Sequence, residues 1–172
     1  LPRRQRQMCI RDSISGDPKI YTIQRNLNLK DNAFLNHHVI QGSPVLPMVN
    51  ATAWMADSCV KLFPDYTLAS IENVKLFKGI VFDGTEKESY FTEIKEQSKT
   101  ADNIVCDVTI YSKGAKLPLN HYRSSVTLVR KRNDKPIFKQ PKVKENKIDG
   151  ATFYNDGSLF HGAFYQGIEA IL

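Results

Sequence analysis

The chain contains no run of about eighteen apolar residues, so no helix long enough to cross a membrane is expected. Cysteine is scarce. Cys9, Cys59 and Cys106 are an odd number and follow no metal-ligand spacing. Cys59 and Cys106 sit in apolar surroundings and read as small core residues. A reducing cytoplasm is the natural compartment. The four histidines form no metal pattern with these cysteines, so no metal is expected. No glycine-rich phosphate loop is present, which excludes the common nucleotide signatures. The opening LPRRQRQMCIRDS is basic but lacks the apolar centre of a signal peptide. Residues 1–17 read as a disordered or foreign leader outside the fold.

What is present suits one domain, or one domain and part of another. The 172 residues are 41% hydrophobic, enough for a sizeable core. The net charge of +6 is uneven. Arg3, Arg4 and Arg6 lie in the leader, and a basic tract runs from Arg130 to Lys147. That tract has few aromatics interleaved for base stacking, so nucleic acid is not an expected partner. It reads as a solvated linker or as an attraction for an acidic partner.

The segment from Ile20 to Leu29 alternates as a strand, and Asp31 to Leu35 is a turn or helical entry. Gly42 to Pro47 is an extended loop. Met48 to Phe63 is helical, with apolar residues over most of its circumference and a thin polar stripe at Asn50, Asp57 and Lys61. Such a helix is expected to be wrapped on nearly all sides. Pro47 and Pro64 bracket it. Strands follow at Leu68–Phe82, Ser89–Lys95, Ile104–Ser112 and Tyr122–Arg130, parted by Asp83-Gly84, Asp102-Asn103 and Lys113-Gly114. Cys106, Val108 and Ile110 alternate with Asp107 and Thr109, one face in and one face out. The fold class is therefore α+β, an antiparallel sheet with a wrapped helix, over residues 18–132. Residues 133–150 are polar, basic and proline-bearing, and read as a linker. Residues 151–172 begin a further unit, and no strand follows GIEAIL.

Phe34 to Met55 is the segment that carries chemistry. His38, Gly42 and Pro47 stand at fixed spacing just before the helix. A histidine is a proton-transfer base near neutrality. The start of a helix offers unpaired N–H groups and the positive end of the helix dipole. Together they could draw a proton from carbon beside a polarised carbonyl.

With its flanks, this segment resembles the dehydratase domains of polyketide synthases and polyunsaturated fatty acid synthases. Those carry a phrase like Phe-Leu-x-Asp-His-x-Val-x-Gly-x-x-Val-x-Pro. Phe34, Leu35, His38, Val39, Gly42, Val45 and Pro47 match it, while His37 replaces the aspartate and Met48 a glycine. A second phrase, Leu-Phe-His-Gly-Pro-x-Phe-Gln-Gly-Ile, is matched by Leu159, Phe160, His161, Gly162, Gln166, Gly167 and Ile168. There Ala163 replaces the proline and Tyr165 the phenylalanine.

The resemblance implies a hot-dog fold, a sheet curled round a central helix, with residues 151–172 opening a second hot dog. It implies removal of water from a 3-hydroxyacyl thioester, with His38 as the base. The backbone N–H of Gly42, or groups near the helix start, would polarise the thioester carbonyl. Pro47 would fix the helix entry, and Val45, Leu46, Trp54 and Met55 would line the substrate pocket. His37, His121 and His161 read as packing residues. No cofactor is implied beyond the phosphopantetheine of acyl carrier protein, which carries the substrate. Acyl carrier protein, other synthase domains, and a second hot-dog half or second copy are the implied partners.

The acid is missing from its place. Single-hot-dog dehydratases carry a glutamate on the central helix where this chain has Ala53. The double type uses an aspartate on the second half's helix. The resemblance therefore implies that this chain is the histidine-bearing half and nearly inactive alone. Two other readings stay open. One is a non-catalytic hot-dog module of a synthase. The other is a hot-dog thioesterase using Asp57, the sole carboxylate of the helix.

Overall fold

The computed structural model describes residues 10–13, 19–131, 139 and 147–171. The expected linker falls mostly outside these. Strands β1 (Ile10–Ser13) and β2 (Ile20–Asn26) pair antiparallel. Part of the expected leader therefore joins the sheet edge, a departure from the sequence reading. A single 3-10 turn, Ala33–His37, follows, with Leu35 fully buried. A two-rung hairpin of β3 (Val39–Ile40) and β4 (Ser43–Pro44) leads into helix α1 (Met48–Leu62).

Four long strands complete the sheet: β5 (Thr67–Leu76), β6 (Ser89–Lys99), β7 (Asn103–Ser112) and β8 (Leu119–Val129). The order across it is β1-β2-β6-β7-β8-β5, with every neighbouring pair antiparallel. β5 thus crosses to the far edge, and β6, β7 and β8 form a meander. Period-two burial is clean in β7, where Ile104, Cys106, Val108 and Ile110 are fully buried. Those residues meet the sheet-facing side of α1, where Ala51, Met55 and Cys59 are also fully buried. This is the hot-dog arrangement of a curled antiparallel sheet holding one central helix.

Two expectations need correction. The sequence reads Leu68–Phe82 as one strand, but β5 ends at Leu76. Its register shifts twice, and Asn73 adopts φ 54°. The chain then leaves the sheet and runs beside the hairpin. Leu46 N–H donates to the Ile80 carbonyl at 2.9 Å, and Phe82 N–H to the Pro44 carbonyl at 2.8 Å. The second correction concerns α1, which is covered on one side only. Val49 is 71% exposed, Met48 43%, and Ala53 and Asp57 lie on the same open side. A single sheet layer can bury one side of a helix, and the apolar residues opposite it stay in solvent.

Beyond the undescribed tract, β9 (Ile148–Asp149) pairs antiparallel with β10 (Ala170–Ile171), and a short helix α2 (Ala151–Asn155) lies between them. The GIEAIL segment therefore has a pairing strand, which precedes it in the chain. Among the described residues no helix is long and apolar enough to cross a membrane.

Candidate active site

His38 sits at the base of the β3–β4 hairpin. The turn at its tip needs φ above zero at both central residues, and Gln41 (51°) and Gly42 (83°) supply it. At the base, the Val45 N–H donates to the His38 carbonyl at 2.9 Å. His38's own N–H turns back to the Leu35 carbonyl at 3.1 Å, closing the 3-10 turn. The Val45 carbonyl is thereby left for the imidazole, whose Nδ1 lies 3.0 Å away. A carbonyl can only accept, so Nδ1 carries the proton. In the neutral ring the lone pair is then on Nε2, the form a general base requires.

The seat of Val45 is built from distant parts of the chain. Val45 bridges Val81, and the neighbouring Leu46 carbonyl accepts from the buried Tyr122 hydroxyl at 3.0 Å. Burial pushes the Tyr122 hydroxyl's pKa up, and it stays a donor. Residues 78–82 are held in turn by His121, which is only 4% exposed. Its Nδ1 donates to the Lys78 carbonyl at 2.9 Å, so its Nε2 accepts from the Ser112 hydroxyl at 2.9 Å. Desolvation lowers the pKa of His121, against the opposing pull of the Lys78 carbonyl.

The second motif does not stand apart from the first. Residues 159–166 fold back onto the His38 turn. Gly162 N–H donates to the His37 carbonyl at 2.8 Å. A Cβ at Gly162 would come within 2.6 Å of His37 Nδ1 and 3.0 Å of His37 Cα, so only glycine permits the approach. Phe164 packs on the His37 ring at 6.1 Å and on Phe34 at 6.1 Å. Around the His38 ring stand Phe160 at 5.1 Å, His161 at 5.6 Å and Tyr165 at 6.0 Å, all between centroids. The Tyr165 hydroxyl reaches Asn50 Oδ1 in the first turn of α1 at 3.3 Å. Tyr165 therefore joins the imidazole to the helix start. Burial raises the pKa of its hydroxyl, and the bond to Asn50 opposes that.

The expected site residues separate into two groups. His38, Val45 and Pro47 lie together, with Pro47 as the N-cap that supplies no side-chain oxygen. No side chain caps the first turn of α1. Gly42 is at the hairpin tip, beyond the two rungs that separate it from His38. Its glycine serves the turn. Leu46, Trp54 and Met55, the expected pocket wall, are buried in the core. Met55 Sδ accepts from the Ser124 hydroxyl at 3.4 Å, and the Arg25 guanidinium lies 4.8 Å over the Trp54 ring. They occupy the sheet-facing side of α1. The apolar ring beside His38 is Phe160, itself exposed. Sequence reasoning assigned the second motif to another unit and so missed this wall. Its signal was the aromatic density of LFHGAFY.

Ala53 and Asp57 lie exposed on the open side of α1. Among the described residues no carboxylate hydrogen-bonds either His38 or His161, and no group of acidic, histidine and cysteine side chains is arranged to hold a metal.

No protein-family model matches the chain. It is 32% identical over 153 residues to a subunit of the polyunsaturated fatty acid synthase of Thraustochytrium sp., covering 88% of this chain. The chain spans 5% of that relative's length. Among solved structures it resembles the dehydratase domain from the CurF module of curacin polyketide synthase, with TM-score 0.67 and 16% identity over 95% of this chain and 59% of that one. The chain has the hot-dog fold of synthase dehydratase domains. A dehydratase domain of a mycocerosic acid synthase-like polyketide synthase is similar in the same way, with TM-score 0.63 and 12% identity over 95% of this chain and 55% of that one. Both solved synthase hot dogs extend well beyond the part that this chain matches.

Proposed function

We propose that this chain is the histidine-bearing half of a dehydratase that converts a 3-hydroxyacyl thioester to the 2-enoyl thioester in polyketide or polyunsaturated fatty acid synthesis. The observation that carries this reading is the His38 ring. Its Nδ1 is committed to the Val45 carbonyl, and its Nε2 is left beside an apolar wall at the start of α1. A 3-hydroxyacyl thioester placed there presents its α-hydrogen to Nε2. Its carbonyl meets the first-turn N–H groups of α1, where the helix dipole favours the developing negative charge. Phe160 and Tyr165 exclude water from the imidazole. The substrate would arrive on the phosphopantetheine of an acyl carrier protein, with other synthase domains as neighbours and no cofactor of the chain's own. The open side of α1, with Met48 and Val49 in solvent, suits cover by a second hot dog or a second copy.

The test separates base from acid. The protein is incubated in D2O with a 3-hydroxyacyl thioester, and deuterium entering the α-carbon is followed by NMR. Exchange needs only His38 and the carbonyl donors. His38→Gln is expected to slow it by about 10²–10⁴, the usual worth of a general base. Equal exchange in the variant would sink the reading and favour a non-catalytic module. Thioester cleavage lost on Asp57→Asn would favour the thioesterase.

A further inference from the structure

The dehydratase reading brings a thioester carbonyl to the first turn of α1. Of the residues that open this helix, Met48, Val49, Asn50 and Ala51, only Asn50 has a polar side chain. Its backbone N–H donates to the Pro47 carbonyl at 3.0 Å, which fixes the residue within the turn. Helical side chains tilt toward the N-terminus, so the half-buried carboxamide leans over the helix start. The fold then decides which end of it is free. The Tyr165 hydroxyl donates to Asn50 Oδ1 at 3.3 Å. A carboxamide has one acceptor end and one donor end, so Nδ2 with its two N–H groups is left over. Among the described residues no hydrogen bond engages it. The same phenol ring stands against the His38 imidazole, 6.0 Å away with planes 69° apart. His38 is tied to the other end of this stretch through Nδ1 and the Val45 carbonyl at 3.0 Å. Imidazole, residues 45–50 and phenol make a closed circuit whose two uncommitted nitrogens are His38 Nε2 and Asn50 Nδ2. Tyr165 stands where the resembled phrase has phenylalanine, so its hydroxyl is this chain's own addition.

We propose that Asn50 is a catalytic residue, the side-chain donor that holds the thioester carbonyl while His38 takes the α-proton. Tyr165 is the positioning residue that orients it. The inference rests on the dehydratase reading above. The α-carbon and the carbonyl oxygen are two bonds apart, so a base and a donor on neighbouring residues serve them together. The α-C–H bond breaks and its proton goes to His38 Nε2. Its electron pair forms the C=C bond of an enolate, and the carbonyl π pair moves onto oxygen. A hydrogen bond from Nδ2 stabilises that oxyanion more than the neutral carbonyl, which lowers the barrier. Reversal returns a proton, or a deuteron from D2O, to the α-carbon.

The experiment uses the full chain with two probes. A 3-hydroxyacyl thioester in D2O reports α-deuterium exchange. A saturated acyl thioester, isotope-labelled at its carbonyl carbon, has no β-hydroxyl to lose and reports the bound C=O stretch by difference infrared spectroscopy. Asn50→Asp keeps an oxygen for Tyr165 but removes the donor, and Asn50→Ala removes the whole carboxamide. Both should slow exchange by about 10²–10³, the usual worth of one oxyanion donor. Tyr165→Phe loses the same bond but keeps Nδ2, and should slow exchange by only about three- to tenfold, the worth of one neutral hydrogen bond. The bound carbonyl should absorb at lower frequency in the wild type than in either Asn50 variant, with Tyr165→Phe between them. Unchanged protection of the β7 amides shows that a variant is folded. Exchange at the wild-type rate in both Asn50 variants overturns the proposal. So does an equal loss in Tyr165→Phe, which would trace the effect to the docking of residues 159–166. No exchange in the wild type marks failure of the His38 reading itself. The infrared probe does not pass through His38 and then judges Asn50 alone: a carbonyl frequency unmoved by Asn50→Ala overturns its role.

Discussion

His121 and His38 begin alike and end differently. Each ring donates from Nδ1 to a backbone carbonyl, Lys78 in one case and Val45 in the other. The tautomer is therefore fixed by the same device. For His121, however, Nε2 accepts from Ser112 inside the protein, and the ring is spent as a bolt between β7, β8 and residue 78. For His38, Nε2 is left without such a donor in an apolar recess with another imidazole. The comparison teaches that fixing one nitrogen does not make a histidine functional. What the second nitrogen meets decides it. The two sites are also linked, because His121 holds the segment whose residues 80–82 seat Pro44, Val45 and Leu46.

The first way to break the comparison is His121→Ala. It leaves the Ser112 hydroxyl and Lys78 carbonyl without their bonding group. We expect a loss of about 2–4 kcal/mol in chemical denaturation, in the range for buried unsatisfied groups plus lost packing. His38→Ala should change stability by less than about 1 kcal/mol while removing α-exchange. Equal destabilisation by the two would erase the distinction. A smaller effect is expected from Gly162→Ala. The added Cβ meets the His37 backbone and should push residues 159–166 off the His38 turn, at about 1–3 kcal/mol. Faster amide exchange at Gly162, with the β7 amides unchanged, is the readout.

The third test uses pH. Folding lowers the pKa of His121 below its ordinary 6.5, chiefly by desolvation. The unfolded chain then binds more protons than the folded one below that value. His121 therefore contributes stability that is present above about 6.5 and lost as the pH falls. Denaturation midpoints between about pH 7 and 5 should drop in the wild type and drop less in His121→Gln. The smallest effect is that of Tyr165→Phe, which restores the residue of the resembled phrase. Losing the hydroxyl on Asn50 should cost about 0.5–1.5 kcal/mol of docking, seen as weaker protection of the Tyr165 amide. No change there would mean that the ring alone holds the segment.

Much of the fold was legible in the sequence, for identifiable reasons. Pro47 and Pro64 bracket a helix that runs Met48–Leu62, and the alternation through Cys106, Val108 and Ile110 marks a half-covered strand. The placing of His38 just before a helix was legible from spacing. The open side of α1 was not. Val49 and Ala51 are both apolar, and nothing in composition tells the side under the sheet from the side facing solvent. Strand β9 escaped because two residues have no period. The wall around His38 escaped because it joins residues far apart in the chain, and only the folded chain brings LFHGAFY to the hairpin.

The bond from the Tyr122 hydroxyl to the Leu46 carbonyl has a consequence for the timing of assembly. It closes a loop of 76 residues, and the seat of Val45 depends on it. Contacts of such separation form late, since loop-closure entropy must be overcome before they give any return. During synthesis from the amino terminus, His38 leaves the ribosome long before Tyr122 and longer still before Phe160. The imidazole therefore waits, its ring free to rotate and its tautomer unset, until the segments of Tyr122 and Phe160 have emerged. The seat of His38 is thus among the last parts of this fold to form.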